Sequence, residues 1–164
     1  MGNIRLLVLD VDGVLTDGRL YFGPRGESLK VFHVRDGQGI VQLRRAGIAV
    51  AVISGRRSPM VAARCRELGV EHVHQGVADK LAVFTRLCAR LKVTAAVCCC
   101  IGDDLPDLPL MRAVACSFAV ADAHPQVRRA AGRVTRLPGG AGAVREVCDL
   151  LLAAAMPARR GSRS

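Results

Sequence analysis

Runs of apolar residues alternate with amphipathic segments along the chain. Four runs predict buried strands, over residues 4–9, 48–53, 95–101 and 114–120. Near-continuous apolar strands are what a parallel sheet requires when both of its faces are covered. Apolar residues at helical spacing predict helices over residues 37–45, 58–68, 79–91, 106–112, 125–131 and 142–155. This repeated strand–helix order predicts an α/β fold with a doubly wound, mostly parallel sheet.

One segment departs from this alternation. Residues 19–34 follow the first predicted strand directly and have the pattern of a β-hairpin, with strands over 19–22 and 28–34 around a Gly-Pro-Arg-Gly turn. A two-stranded ribbon alone is only marginally stable in water. We therefore expect the hairpin to dock on its own domain or on another subunit.

The length of 164 residues suits one domain. We expect this domain to span residues 1–156 without a large cap domain, and residues 157–164 to form a flexible basic tail. No uncharged apolar run reaches the roughly 18 residues of a membrane helix. Acidic residues directly follow the short first apolar run, which argues against a signal peptide. The sequence therefore predicts a cytoplasmic protein without a membrane partner.

Charge and cysteine content narrow the classes of partner. The chain has 24 Lys and Arg against 14 Asp and Glu, a net charge of +10, which suits anionic partners. With four Phe, one Tyr and no Trp it is poorly supplied with rings on which bases could stack, so we expect no nucleic-acid partner. No pair among the seven cysteines has zinc-knuckle spacing, and we expect them to be reduced core residues.

Acidic residues follow two of the predicted strands, at the edge where α/β sheets bind ligands. Asp10 and Asp12 come after the first strand, and they share a side if the strand geometry persists. Asp103 comes after the third strand, with Asp107 one helical turn further on. Four carboxylates in one cleft would repel and raise one another's pKa. A magnesium ion, which binds carboxylate oxygens, would remove this conflict.

Two further polar residues suit a phosphoryl group. Ser54 follows the second strand and can donate a hydrogen bond, and Lys80 supplies a positive charge at the start of a predicted helix. Together with the carboxylates and magnesium, they indicate phosphoryl transfer. Asp10 can attack phosphorus to form an aspartyl-phosphate. Asp12 can protonate the leaving oxygen and then activate the water.

These residues stand in motifs that resemble those of the haloacid dehalogenase superfamily. Residues 10–18 (Asp-Val-Asp-Gly-Val-Leu-Thr-Asp-Gly) are similar to its first motif. Its second, third and fourth motifs are similar to residues 54–56, to Lys80 and to residues 102–107. From about residue 4 to 152 the chain resembles the cap-less 3-deoxy-D-manno-octulosonate 8-phosphate (KDO 8-phosphate) phosphatase family. The matching segments are residues 30–40, 75–80, 120–125 and 139–146.

The resemblance implies roles for the acidic residues. Asp10 would be the nucleophile and a magnesium ligand. Asp12 would be the acid–base and would lend its backbone carbonyl to the metal, while Asp103 would be the third protein ligand. Asp104 and Asp107 would be supporting acids around the metal and Lys80.

The resemblance also implies how substrate is held. Ser54, Gly55 and Lys80 would bind the phosphoryl group. Arg56 is the best candidate for a substrate carboxylate, because guanidinium matches that group bidentately. Arg64, on the following helix, would assist.

The implied function is magnesium-dependent hydrolysis of KDO 8-phosphate, on the route to lipopolysaccharide. Members of the family are homotetramers, which implies a tetramer joined through the hairpin at residues 19–34, with neighbouring chains completing each active site. A related branch acts on a nine-carbon keto sugar acid phosphate, and Arg56 favours the eight-carbon substrate because that branch has Glu there. A phospho-receiver signalling module is an alternative of another class. It would carry its phosphorylated Asp after a central strand, where this chain has Ser54.

Overall fold

The computed structural model describes residues 3–155, and the predicted tail at residues 157–164 lies outside them. The strands are β1 (Leu6–Leu9), β2 (Tyr21–Gly23), β3 (Gly26–Leu29), β4 (Ala49–Ser54), β5 (His72–Gln75), β6 (Cys98–Gly102), β7 (Cys116–Ala119) and β8 (Arg133–Val134). The helices are α1 (Val34–Arg45), α2 (Pro59–Glu67), α3 (Lys80–Leu91), α4 (Leu108–Ala113), α5 (Pro125–Ala130) and α6 (Ala143–Ala155).

Six strands form one parallel sheet in the order β5-β4-β1-β6-β7-β8. Every residue of the central strand β1 is at most 2% exposed, which requires covering layers on both faces and confirms the predicted doubly wound fold. Strands β4 and β5 lie on one side of β1. Strands β6, β7 and β8 lie on its other side. The order of strands therefore reverses at β1, and such a switch point opens a crevice beyond the carboxyl ends of the strands.

The predicted elements are present with shifted ends. Residues 95–97 form a 3-10 turn, so β6 begins at Cys98 rather than at residue 95. Helix α1 begins three residues earlier than predicted because His33 caps it by accepting a hydrogen bond from the backbone of Arg35. Ser58 stands at the N-cap of α2, but its hydroxyl makes no capping hydrogen bond. Strands β5 and β8 lie outside the four predicted runs.

The hairpin is shorter than predicted. Strands β2 and β3 pair antiparallel as a separate two-stranded sheet, but β3 ends at Leu29, so the predicted strand over residues 28–34 is wrong. The chain leaves the ribbon at Lys30, which is buried, and enters α1 at Val34. Large apolar side chains of this region are exposed, namely those of Leu20, Phe22, Leu29, Val31 and Val34.

Helices α1 and α6 pack together and are joined by a buried carboxylate. Asp36, in the first turn of α1, accepts a hydrogen bond from the backbone N–H of Arg145 in the first turn of α6. Gly39 lies against the side chain of Cys148 on α6, so a larger residue there would separate the helices. This packing links two of the segments on which the resemblance rests, residues 30–40 and 139–146.

The burial of the cysteines agrees with the prediction. All seven cysteines carry free thiols and six of them are buried, as expected of reduced core residues. Among the helices of residues 3–155, none combines the length and apolar composition needed to cross a bilayer.

Candidate active site

The carboxyl ends of β1 and β6 bring three carboxylates together. These strands are neighbours, with Leu9 paired to Ile101, so Asp10 and Asp103 both lie just beyond the same edge of the sheet. One carboxylate oxygen each from Asp10, Asp103 and Asp107 lies within 4.8 Å of the other two. The predicted convergence of Asp10 and Asp103 is therefore confirmed.

Lys80 bridges two of these carboxylates. Its Nζ lies 2.9 Å from Asp10 Oδ1 and 2.6 Å from Asp107 Oδ1, and its side chain is 6% exposed. Helix α3 presents Lys80 as its first residue, because Asp79 caps the helix by accepting from the N–H of Ala82. Burial alone would lower the pKa of Lys80, but the charges of Asp10 and Asp107 outweigh burial and raise it. The ammonium is therefore charged at neutral pH.

Both carboxylate oxygens of Asp107 accept hydrogen bonds from other residues. While Oδ1 accepts from Lys80, Oδ2 accepts from the backbone N–H groups of Asp103, at 3.0 Å, and Asp104, at 3.3 Å. Asp104 is exposed and caps the following 3-10 turn through the N–H of Leu105. Asp107 thus fixes the position of Lys80 relative to the loop that carries Asp103.

The cluster fits a divalent cation. Asp103 Oδ1 is buried and has no hydrogen-bond partner among residues 3–155, an arrangement that costs free energy unless an ion binds there. Burial and the charges of Asp10 and Asp107 raise the pKa of Asp103 to about 8. Burial and the charge of Asp107 raise the pKa of Asp10 to about 6. Three carboxylates and the Lys80 ammonium sum to two negative charges when ionised, which one magnesium ion would balance.

A tight turn directly after Asp10 sets the shape of the loop. The N–H groups of Val14, Leu15 and Thr16 all donate to the carbonyl of Val11, so the strand geometry does not persist beyond β1. Gly13 has φ +86°, and a Cβ there would clash with the carboxylate of Asp103. The glycine of the first motif is therefore required both by the backbone conformation and by the close approach of Asp103.

Asp12 lies outside the carboxylate cluster, contrary to the expectation that four carboxylates crowd together. Because the chain turns, its side chain faces the hairpin. Asp12 Oδ1 contacts the ammonium of Lys30, and Asp12 Oδ2 lies 3.7 Å from Arg56 Nε. The predicted metal contact of Asp12 through its backbone carbonyl stays a prediction.

Strand β4 ends at Ser54 beside β1, and Gly55 and Arg56 follow it directly, as predicted. Ser54 is buried, and its hydroxyl oxygen accepts from the N–H of Arg56 at 3.4 Å. The Arg56 side chain is 43% exposed and lies near Asp12 and Glu27, so its guanidinium is at the mouth of the site. The roles predicted for these three residues in binding phosphate and substrate stay predictions.

Arg64 is placed elsewhere by its helix. Its guanidinium lies against Gly37 of α1 and pairs with Glu67 at 2.9 Å. No ion pair or hydrogen bond within residues 3–155 joins Arg64 to the carboxylate cluster. Its predicted role as a helper in substrate binding stays a prediction.

Gly139 and Gly140 pack against the backbone of the first motif. A Cβ on Gly139 would meet the carbonyl of Gly13, and one on Gly140 would meet the backbone of Thr16. Gly140 donates its N–H to the carbonyl of Val14, and Gly139 donates to Asp122. The glycine pair therefore packs against the loop that follows Asp10.

The sequence pattern predicted no role for two charged residues of the site, Lys30 and Glu27. Lys30 contacts Asp12, and Glu27 lies 2.9 Å from Lys30 and 3.5 Å from Arg56. Lys30 lies 18 positions from Asp12 along the chain, so no local spacing could have revealed the pair.

Comparison with known proteins gives consistent results. The family model for haloacid dehalogenase-like hydrolases matches residues 28–115. The 3-deoxy-D-manno-octulosonate 8-phosphate phosphatase KdsC of Escherichia coli strain K12 is 53% identical over 152 residues, which cover 93% of this chain and 81% of that protein.

Solved structures match over nearly the whole chain. The 3-deoxy-D-manno-octulosonate 8-phosphate phosphatase from Yersinia pestis superposes with a TM-score of 0.92 at 51% identity, covering 94% of this chain and 83% of that one. The enzyme of the same name from Moraxella catarrhalis, in complex with a magnesium ion, a phosphate ion and KDO, superposes with a TM-score of 0.91 at 42% identity, covering 93% and 88%. The chain therefore belongs to the haloacid dehalogenase-like hydrolases and, within them, to the KDO 8-phosphate phosphatase family.

Proposed function

We propose that this protein hydrolyses KDO 8-phosphate to KDO and inorganic phosphate. The observation that carries the proposal is the carboxylate cluster of Asp10, Asp103 and Asp107, bridged by Lys80 beyond the switch point of the sheet. The relative from Moraxella catarrhalis, which binds magnesium, phosphate and KDO, supports the choice of ligands.

The residues around Asp10 have separate roles in phosphoryl transfer. Lys80, the Ser54 hydroxyl and the backbone of Gly55 bind the phosphoryl oxygens. Asp10 attacks phosphorus, and the ester P–O bond breaks while Asp12 gives its proton to the leaving oxygen. A water then attacks the aspartyl-phosphate and gives its proton to Asp12, which releases phosphate and restores Asp10.

Magnesium would be held by the carboxylates of Asp10 and Asp103 and by the backbone carbonyl of Asp12. When bound, the ion supplies positive charge that stabilises the transferring phosphoryl group. Asp104 and Asp107 contribute by fixing the loop and Lys80.

Arg56 would bind the carboxylate of the substrate. Its exposed guanidinium at the mouth of the site can form two parallel hydrogen bonds to a keto acid carboxylate. Arg64 would assist only after leaving Glu67, with which it pairs in this structure. A nine-carbon keto sugar acid phosphate is the alternative substrate.

A substrate panel tests the function directly. With magnesium, kcat/KM is expected to be highest for KDO 8-phosphate, lower for a nine-carbon keto sugar acid phosphate, and lowest for p-nitrophenyl phosphate. Arg56→Ala should lower kcat/KM about 10- to 100-fold for the two keto acids. It should leave p-nitrophenyl phosphate, which has no carboxylate, nearly unchanged. Activity that persists in excess chelator, or no preference for keto acid phosphates, would contradict the proposal.

We propose that the protein is a homotetramer joined through its hairpin. The exposed side chains of Phe22 and Leu29, on the two strands of the ribbon, support this because an isolated hairpin needs further packing. Sedimentation velocity is expected to give a tetramer, and Phe22→Ser should shift the population toward smaller species. A fully active monomer would argue against this assembly.

We place the reaction in the cytoplasm. Seven free cysteines, six of them buried, are typical of proteins that function in a reducing compartment.

A further inference from the structure

A second buried ammonium, that of Lys30, contacts Asp12 beside the active site. Lys30 follows β3, and its side chain is 1% exposed. Its Nζ contacts Asp12 Oδ1 and lies 2.9 Å from Glu27 Oε1. Two carboxylates therefore share one cation. This arrangement satisfies the buried charge of Lys30 and ties the hairpin to the catalytic loop.

The two oxygens of Asp12 are in different surroundings. The partner of Oδ1, Lys30, is buried and has little freedom to move. Oδ2 lies 3.7 Å from Arg56 Nε, and the side chain of Arg56 is 43% exposed, so it is free to turn toward a substrate carboxylate. Oδ2 is then the only oxygen of Asp12 that can face the leaving group, because Oδ1 remains held by Lys30.

We propose that Lys30 is a positioning residue that fixes the carboxyl plane of Asp12, and that Glu27 holds Lys30 in place. The inference rests on the proposed function, in which Asp12 is the acid–base. Lys30 touches neither substrate nor phosphorus. It acts by keeping Asp12 Oδ2 in line with the leaving oxygen, since proton transfer depends steeply on geometry.

This role predicts a dependence on the leaving group. As the bond between Asp10 and phosphorus forms, the ester P–O bond breaks, and the proton of Asp12 Oδ2 moves to the departing oxygen. An alkoxide such as that of KDO needs this proton, whereas p-nitrophenolate is stable without it. The constant kcat/KM covers the steps up to release of the leaving group. A misplaced Asp12 should therefore lower it for the sugar phosphate and spare it for the nitrophenyl ester.

The test compares Lys30→Met with Lys92→Met, which removes the same charge from an exposed position at the end of α3. In Lys30→Met, kcat/KM is expected to fall about 10- to 100-fold for KDO 8-phosphate and less than about 3-fold for p-nitrophenyl phosphate. Lys92→Met should match the wild type on both substrates. Equal losses on both substrates would show that Lys30 only stabilises the fold, and no loss on either would also overturn the inference.

A second variant keeps the inference testable if Lys30→Met does not fold. Glu27→Gln retains Lys30 and the shape of Glu27 but removes one of the two carboxylates that hold the ammonium. It should lower kcat/KM several-fold more for KDO 8-phosphate than for p-nitrophenyl phosphate, and equal effects would contradict the inference. A wild-type protein inactive on both substrates would instead refute the proposed function, so the two failures are distinguishable.

Discussion

Asp10→Asn is expected to abolish turnover of KDO 8-phosphate, with kcat lowered at least about 10⁴-fold. The amide has nearly the shape of the carboxylate, but it cannot attack phosphorus and it is a poor magnesium ligand. The fold should be retained, because the burial of Asp10 disfavours its charge, as its pKa of about 6 indicates. Steady-state kinetics and circular dichroism on the same preparation check both expectations.

The matched control is Asp149→Asn, which removes an exposed carboxylate that pairs with Arg145 on α6. This variant should have wild-type kcat. If Asp10→Asn were folded and retained more than a few per cent of the activity, Asp10 would not be the nucleophile.

Asp103→Asn is expected to have opposite effects on activity and on stability. It should lower kcat by about 10² to 10³, because a magnesium ligand is lost. In chelator at pH 9 it should raise the free energy of unfolding by about 1–3 kcal/mol, because a buried charge repelled by Asp10 and Asp107 is removed. Urea denaturation of both proteins gives the difference.

The raised pKa of Asp103 determines how the stability difference between the wild type and Asp103→Asn changes with pH. The pKa of Asp103 is about 8 in the folded protein and near 3.8 when unperturbed, so between these values the folded state binds the extra proton. The metal-free wild type should therefore lose stability relative to Asp103→Asn as pH rises from 4 to 9, and the two should be nearly equal near pH 4. Asp149→Asn, at an exposed position on α6, should keep the wild-type slope. If Asp103→Asn were less stable than wild type at pH 9, the buried carboxylate would not be the source of strain.

The convergence of Asp10 and Asp103 could be predicted because it follows from topology. Both residues end apolar runs, and parallel neighbouring strands place their carboxyl ends at one edge of the sheet. Lys80, predicted at the start of a helix, is the first residue of α3 and lies buried beside Asp10 and Asp107.

The surroundings of Asp12 could not be predicted in the same way. The expectation that it shares a side with Asp10 assumed a continuing strand, whereas three N–H groups converge on the carbonyl of Val11 and reverse the chain. Its partner Lys30 comes from the hairpin, whose second strand is shorter than its apolar pattern indicates. Asp36 lies within the segment 30–40, and its hydrogen bond to α6 spans 109 positions of sequence, so no local pattern could have revealed it.

A crystal structure of the protein grown with magnesium and inorganic phosphate would test the central claim most directly. We expect one ion bonded at about 2.1 Å to a carboxylate oxygen of each of Asp10 and Asp103, with the phosphate contacting Ser54 and Lys80. An ion bound away from these carboxylates, or a phosphate bound away from Ser54 and Lys80 at saturating concentration, would contradict the account.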